Sequence, residues 1–263
     1  MTGDGNTRAS AVPPATTIAR YDDQLSRPAR TVAIVQSSYI PWKGYFDLIR
    51  HADHFILYDD AQYTSRDWRN RNRIKTKDGV MWLSIPVEVH GRRTQRVRDA
   101  RVADPSWNRR HWKALATAYA RAPYFTTYGE ALEELYGRAT SPWLAEINRR
   151  FIEAICGWFG IATPLSSSSE YPLVEGRSQR LLDLCVQAGA RRYLSGPSAR
   201  DYLDAGLFER AGVAVSFIDY SGYPEYAQMY LPFTHTVTAL DLLLNAGTAA
   251  ARYLLPLPAN VAV

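Results

Sequence analysis

Between Gln36 and Lys75 the chain gathers side chains able to do chemistry. Gln36, Tyr39 and Asn72 offer neutral hydrogen bonds. Lys43 follows Pro41-Trp42 at the start of a helical pattern, where an ammonium and the free N–H groups of a first turn can meet developing negative charge. Asp59-Asp60 closes an apolar run, a place for a base, a cation or an anchor for a substrate amine, and equally for a cap or an arginine partner. Tyr63 and Trp68 stand among Arg66, Arg69, Arg71, Arg73 and Lys75. Rings mixed with guanidinium forks can stack a planar group while holding carboxylate or phosphate. The set suits transfer of an activated acyl, glycosyl or phosphoryl group. The plainer reading is a loop pinned by its rings, with its arginines in water.

These residues need elements to position them. Val32–Val35 reads as a strand, Trp42–Ile49 as a helix and Phe55–Tyr58 as a second strand, so the polar groups fall at strand ends, where an α/β site is built. The stretch from Ala61 to Lys75 is too polar for a core element and is expected to be a loop. Lys77-Asp78-Gly79 is a hairpin turn, Met81–Val87 an edge strand ended by Pro86, and Val97–Val102 a weak strand pattern. Three helices follow. The first is capped by Asp104 with Pro105 as its first residue and runs to Tyr119; the second is 125–137; the third runs from Ser141 to Phe159 and closes at Gly160. His111 lies on the apolar stripe of the first of them, which favours a core histidine over a catalytic one. A serine-rich connection without structure of its own leads to a helix at 177–188. A short strand at Tyr193-Leu194 then turns through Ser195-Gly196-Pro197-Ser198 into another helix start, a place where backbone N–H groups can meet an anion. A strand at 213–218, an ordered tyrosine-rich loop and a helix at 237–244 complete the pattern. The expected organisation is a disordered lead-in (1–30), the first part of an α/β core (31–103), a helical layer or subdomain (104–165) and the second part of the core (166–263).

A chain of 263 residues with 46% apolar residues fills such a core without help from disulfides. Cys156 and Cys185 sit in apolar helical patterns as buried thiols. The net charge of +5 permits anionic small molecules as well as nucleic acid, and no nucleic-acid motif accompanies the basic clusters at 66–77 and 92–101, so nucleic acid is disfavoured. No signal-peptide core and no run of apolar residues long enough to span a membrane are present, which predicts a cytoplasmic protein. Walker, GxGxxG, HExxH, CxxC and GxSxG motifs are absent. The histidines at 51, 54, 90, 111 and 235 have no ligand spacing, so no metal and no cofactor are expected.

The stretch IVQSSYIPWKGYFDLIRHADHFILYDDAQYTSRDWRNRNRIK resembles the WbqC-like protein family, as do HWKALATAYARAPYF, YLSGPSARDYL, YPEYAQMY and DLLLNAG; together they cover roughly Val32 to Gly247. The resemblance implies a place in bacterial polysaccharide or natural-product biosynthesis, with amide-forming transfer of an acyl or aminoacyl group from an anionic or activated donor, including a carrier-protein-linked one, to a small acceptor such as an amino sugar. It carries over Gln36, Tyr39, Pro41, Trp42, Gly44, Tyr45, Asp59, Asp60, Gln62, Tyr63, Arg66, Trp68, Arg71, Lys75, His111, Ser195, Gly196, Asp241 and Asn245. Asp60, Lys43 and His111 are the expected catalytic groups, and Gln36, Tyr39, Trp42, Tyr45, Asp59, Gln62, Tyr63, Arg66, Trp68, Arg71, Asn72, Lys75, Ser195 and Gly196 the expected binding groups. Relatives often end the last motif Asn-Cys-Gly, whereas Asn245-Ala246-Gly247 stands here, so no thiol acts from that position. Trp42-Lys43-Gly44-Tyr45 also resembles the HxGH turn of nucleotidylyltransferases with both histidines replaced by aromatics. That likeness implies a Rossmann-like, mostly parallel sheet with the site at its carboxyl end. A module that binds a nucleotide-sugar or carrier-linked intermediate without turnover is the alternative, and oligomeric state is left open.

Overall fold

The computed structural model describes residues 30–92 and 94–257. The leading stretch expected to be disordered lies, but for Arg30, outside them. In chain order the strands are β1 (Thr31–Val35), β2 (His54–Leu57), β3 (Arg71–Thr76), β4 (Gly79–Ser84), β5 (Leu165–Ser167), β6 (Arg192–Ser195) and β7 (Ala214–Phe217). The α-helices are α1 (Lys43–Arg50), α2 (Trp107–Tyr119), α3 (Phe125–Gly137), α4 (Leu144–Trp158), α5 (Arg177–Gln187), α6 (Ala205–Arg210) and α7 (Ala239–Ala246).

Five strands form one parallel sheet in the order β5-β2-β1-β6-β7. The mixed α/β architecture is Rossmann-like. β1 lies at its centre, so its side chains are buried on both faces and alternate between two cores. Ala33 joins a cluster with Phe55 and Leu57 of β2, α1, α2, α4 and α7, while Val32 and Ile34 join a second with Ile56, Tyr193 and the apolar stripe of α5. The chain progresses from β1 to β2 and β5 on one side, then returns to place β6 and β7 on the other. At that reversal, between β1 and β6, the loops leaving the two strands part and open a crevice.

Several expectations need correction. β3 lies in the stretch expected to be a loop, and pairs antiparallel with β4 through the expected turn. It escapes notice because its inward residues are Asn72, Ile74 and Lys75, two of them polar. β5 lies in the serine-rich connection and is legible only through its parallel pairing with β2. Residues 97–99 form a 3-10 turn rather than a strand. α2 begins at Trp107, two residues after Pro105, because Asp104 turns back to accept from the Ser106 N–H at 2.8 Å. α4 likewise starts at Leu144, and 197–201 is a 3-10 turn.

A buried carboxylate ties the far side of the core together. Asp241 of α7 accepts from the hydroxyls of Tyr119 (2.7 Å) and Tyr226 (2.5 Å) and from Gln228 (2.7 Å), and the Tyr119 hydroxyl in turn accepts from the Lys75 N–H of β3 at 2.9 Å. α7 ends at Gly247 with φ 56° and ψ −132°, and a Cβ there would lie 2.3 Å from the Tyr124 ring. Both constraints require glycine. Gly247→Ala is expected to lose roughly 2–4 kcal/mol in chemical denaturation, whereas Gly137→Ala, at a position with nothing within 4 Å of a new Cβ, is expected to be neutral or slightly stabilising.

Candidate functional site

The crevice between β1 and β6 opens into a cavity of about 950 Å³, at the upper end of ligand-site volumes. Its floor is the loop that leaves β1. Asn72 of β3 donates to the carbonyls of Ile40 (2.9 Å) and Tyr39 (3.3 Å), and Asn148 of α4 donates to Ser37 Oγ (3.1 Å) and the Arg69 carbonyl (2.9 Å). These two buried amides stitch the loop to residues 68–72 and hold Ile40 at φ 36°, a conformation a β-branched side chain resists. Gln36 Oε1 then accepts from Arg69 at 2.7 Å, and the Gln36 carbonyl accepts from Tyr45 at 3.1 Å.

The wall is cationic. Arg69, Arg73, Arg177 and Arg180 line it, and Asp60 is its one carboxylate among the described residues. Asp60 is already balanced: Arg96 and Arg98 approach it at 3.2 and 3.1 Å, and Ser168 Oγ donates to it at 2.9 Å. Opposite, Arg180 donates to Tyr58 Oη at 3.2 Å and Arg177 lies 3.7 Å over the Tyr202 ring. Trp42 faces Tyr220 edge-on at 5.0 Å, and folds so closely over α1 that a Cβ on Gly44 would meet its ring at 2.3 Å.

The expected site residues divide into three groups. Gln36, Trp42, Tyr45, Asp60, Gln62, Trp68, Asn72, Ser195 and Gly196 line the cavity. Arg66 and Arg71 line a smaller one of about 290 Å³, whose wall also includes Trp68 and Arg73. The rest face elsewhere. Lys43 turns beneath the C-terminal chain, donating to the Tyr253 carbonyl (3.1 Å) and lying 4.3 Å over the Tyr223 ring; burial pushes its pKa down to about 8. Lys75 donates to the Pro232 carbonyl. Tyr63 is buried with its N–H on the Gln95 carbonyl. His111 is buried in the helical layer, 2.9 Å from the Tyr39 hydroxyl, which also meets Tyr136 at 2.9 Å; burial lowers the imidazole to about 4, so it is neutral at pH 7. The trio Asp60, Lys43 and His111 therefore does not converge, because the apolar stripe of α2 and the strap over α1 claim two of its members.

Sequence reasoning missed Arg177, Arg180, Tyr58 and Tyr202. A signal existed: two arginines in the opening turn of α5 stand against the helix dipole, a placement that calls for a compensating anion. Both cysteines are buried, absent from the cavity wall and raised by burial, Cys156 to about 12.

A family model described as "WbqC-like protein family" matches residues 36–253. The chain belongs to that family. It is 47% identical over 225 residues to "Uncharacterized protein Rv1507c" of Mycobacterium tuberculosis (strain ATCC 25618 / H37Rv), covering 86% of this chain and 97% of that one. No solved structure matches. The WbqC-like match opens at Gln36 on the cavity floor and closes at Tyr253, whose carbonyl holds Lys43. Among the described residues no helix is long and apolar enough to cross a membrane.

Asp59 lies behind the floor, accepting from the Ser37 N–H at 2.8 Å, and burial raises its pKa to about 6. Its folded form thus binds a proton more tightly than its unfolded form, so stability falls as pH rises from about 4 to about 6. Asp59→Asn keeps the acceptor and removes the titration. Relative to this variant, the wild type is expected to lose roughly 2–3 kcal/mol between about pH 4 and about pH 7 in denaturant titrations.

Proposed function

We propose that the chain is a group transferase that binds an anionic, activated donor in the crevice between β1 and β6 and passes an acyl or aminoacyl group to the amine or hydroxyl of a small acceptor, such as an amino sugar. One observation carries the reading: a cavity with four arginines on its wall, of which Arg69 alone has a carboxylate nearby, Asp67 at 3.8 Å, and whose one lining carboxylate among the described residues, Asp60, Arg96 and Arg98 already balance. In a confined, partly desolvated space such a surplus is expensive without an anion and favours one strongly.

Direct transfer fits the groups present. The acceptor amine attacks the donor carbonyl, the C–N bond forms, and the bond to the leaving thiolate or alkoxide breaks as that group takes up the amine proton. Arg69, oriented by Gln36, is placed to stabilise the oxyanion formed between these steps. Trp42, Tyr45 and Tyr220 supply the apolar and hydroxyl surface for the acceptor. No protein nucleophile is needed. Adenylyl or cytidylyl transfer is a poorer fit, since Trp42 and Tyr45 replace the cationic pair that the HxGH-like turn would require.

One observation favours a second reading, a binding module without turnover: Lys43 and His111, the expected lysine and imidazole, point away from the cavity. Nucleic acid fits less well, because Arg92, Arg96 and Arg98 are paired with Glu88, Asp60 and Asp99. The test is mass spectrometry of amino sugars incubated with carrier-bound and small acyl donors. Wild type is expected to form the amide, with Arg69→Ala slower by about 10²–10³-fold. Unchanged substrate at stoichiometric protein, with donor bound, would establish the second reading instead.

A further inference from the structure

The smaller cavity lies beside the main one and shares Trp68 and Arg73 with it. Its other walls are Arg66, Asp67, Arg71 and Trp82. Trp68 and Trp82 are each 42% exposed and lie 5.5 Å apart at 36°. Two large rings this open on a hairpin and its approach offer a surface on which a planar group can stack. The Arg71 guanidinium lies 4.2 Å over the Trp82 ring, and Arg73 stands 5.3 and 5.6 Å from Trp82 and Trp68.

The charges here are unspent. No ion pair reaches Arg66, Arg71 or Arg73 among the described residues, and the Nε atoms of Arg71 and Arg73 are buried without a hydrogen-bond partner. Asp67 does not serve them: it accepts from the Trp68 N–H at 2.7 Å and leans toward Arg69 at 3.8 Å. Arg66 holds φ 58°, a conformation a residue with a Cβ adopts only under constraint. A paired aromatic surface next to three uncompensated guanidinium groups matches a molecule with a planar ring at one end and clustered negative charge beside it. The cluster is compact, since the neighbouring arginines at 92, 96 and 98 are paired elsewhere, so it suits one diphosphate better than a long polyanion.

We propose that this cavity is a nucleoside diphosphate subsite, in which the base stacks on the Trp68–Trp82 pair, Arg66, Arg71 and Arg73 hold the phosphates, and the attached group passes the shared Trp68–Arg73 wall into the main cavity. The proposal rests on the transferase reading for what the attached group undergoes, and assigns the nucleotide-linked substrate to that site.

The test is tryptophan fluorescence and calorimetric titration of the whole chain with UDP, ADP and inorganic pyrophosphate. A nucleoside diphosphate is expected to saturate and quench, with affinity falling about tenfold or more in Trp82→Ala and in Arg71→Ala, and being largely restored in Trp82→Phe. Pyrophosphate is expected to bind more weakly and to ignore Trp82→Ala. Absence of saturable nucleotide binding, or binding indifferent to Trp82→Ala and Arg71→Ala, overturns the proposal. So does tighter binding of a single-stranded oligonucleotide, or of a phosphopantetheinylated carrier protein, through the same arginines. Transfer between a nucleotide-free donor and a nucleotide-free amino sugar is expected to proceed in the wild type and to slow by about 10²–10³-fold in Arg69→Ala, whereas nucleotide binding is read without any transfer. The two readings therefore fail separately.

Discussion

The site depends on keeping a set of arginines from neutralising itself. Arg69, Arg73, Arg177 and Arg180 share one cavity, and its one lining carboxylate among the described residues, Asp60, is already taken by Arg96 and Arg98. Like charges at such range repel, and they persist only if other contacts hold each one in place. Each has such a contact: a glutamine oxygen for Arg69, two indole rings for Arg73, a phenol ring for Arg177, and a phenol hydroxyl and a backbone carbonyl for Arg180. None of these partners carries charge, and the one carboxylate that reaches the set among the described residues is Asp67, 3.8 Å from Arg69. Orientation is thus separated from neutralisation, and the surplus is left for a ligand.

The acidic residues follow the opposite rule. Asp60 takes up Arg96 and Arg98, so the basic segment after the hairpin is folded inward on that one carboxylate. Asp241 takes no arginine among the described residues and is satisfied by hydroxyls and an amide; burial raises its pKa while those bonds oppose the rise. One acid removes charge from the cavity rim. The other joins α2, α7 and the tyrosine-rich loop with neutral donors and so costs the cavity nothing.

How much could be read from residues alone follows from the same physics. β1, β2, β7 and the amphipathic helices were legible because burial there is paid in apolar side chains at period two or near 3.6. β3 was not, because Lys75 and Asn72 are buried on backbone carbonyls that come from residues 39–40 and 232, contacts no local window contains. β5 was hidden for a similar reason, its serines being acceptable only at the sheet's edge. Of the site, the floor was legible from Gln36 to Asn72. The opposite wall came from α5, whose two arginines were marked only by standing against the helix dipole. Lys43 and His111 show the converse error: residue type suggested chemistry, while the strap and the apolar stripe already claimed them.

That strap has a temporal meaning. Lys43 is fastened by the carbonyl of Tyr253, Asp47 by the Leu255 N–H and the Tyr223 hydroxyl, and His51 by the Pro256 carbonyl. The helix that begins the site is thus completed by contacts some two hundred positions away along the chain, the kind of loop closure that is slow to form. During synthesis β1, α1 and β2 emerge close together, yet α1 stays without its last partners until about two hundred further residues have been made. The cavity therefore matures well after the first half of the sheet, and a nascent chain holding every floor residue would still lack a finished floor.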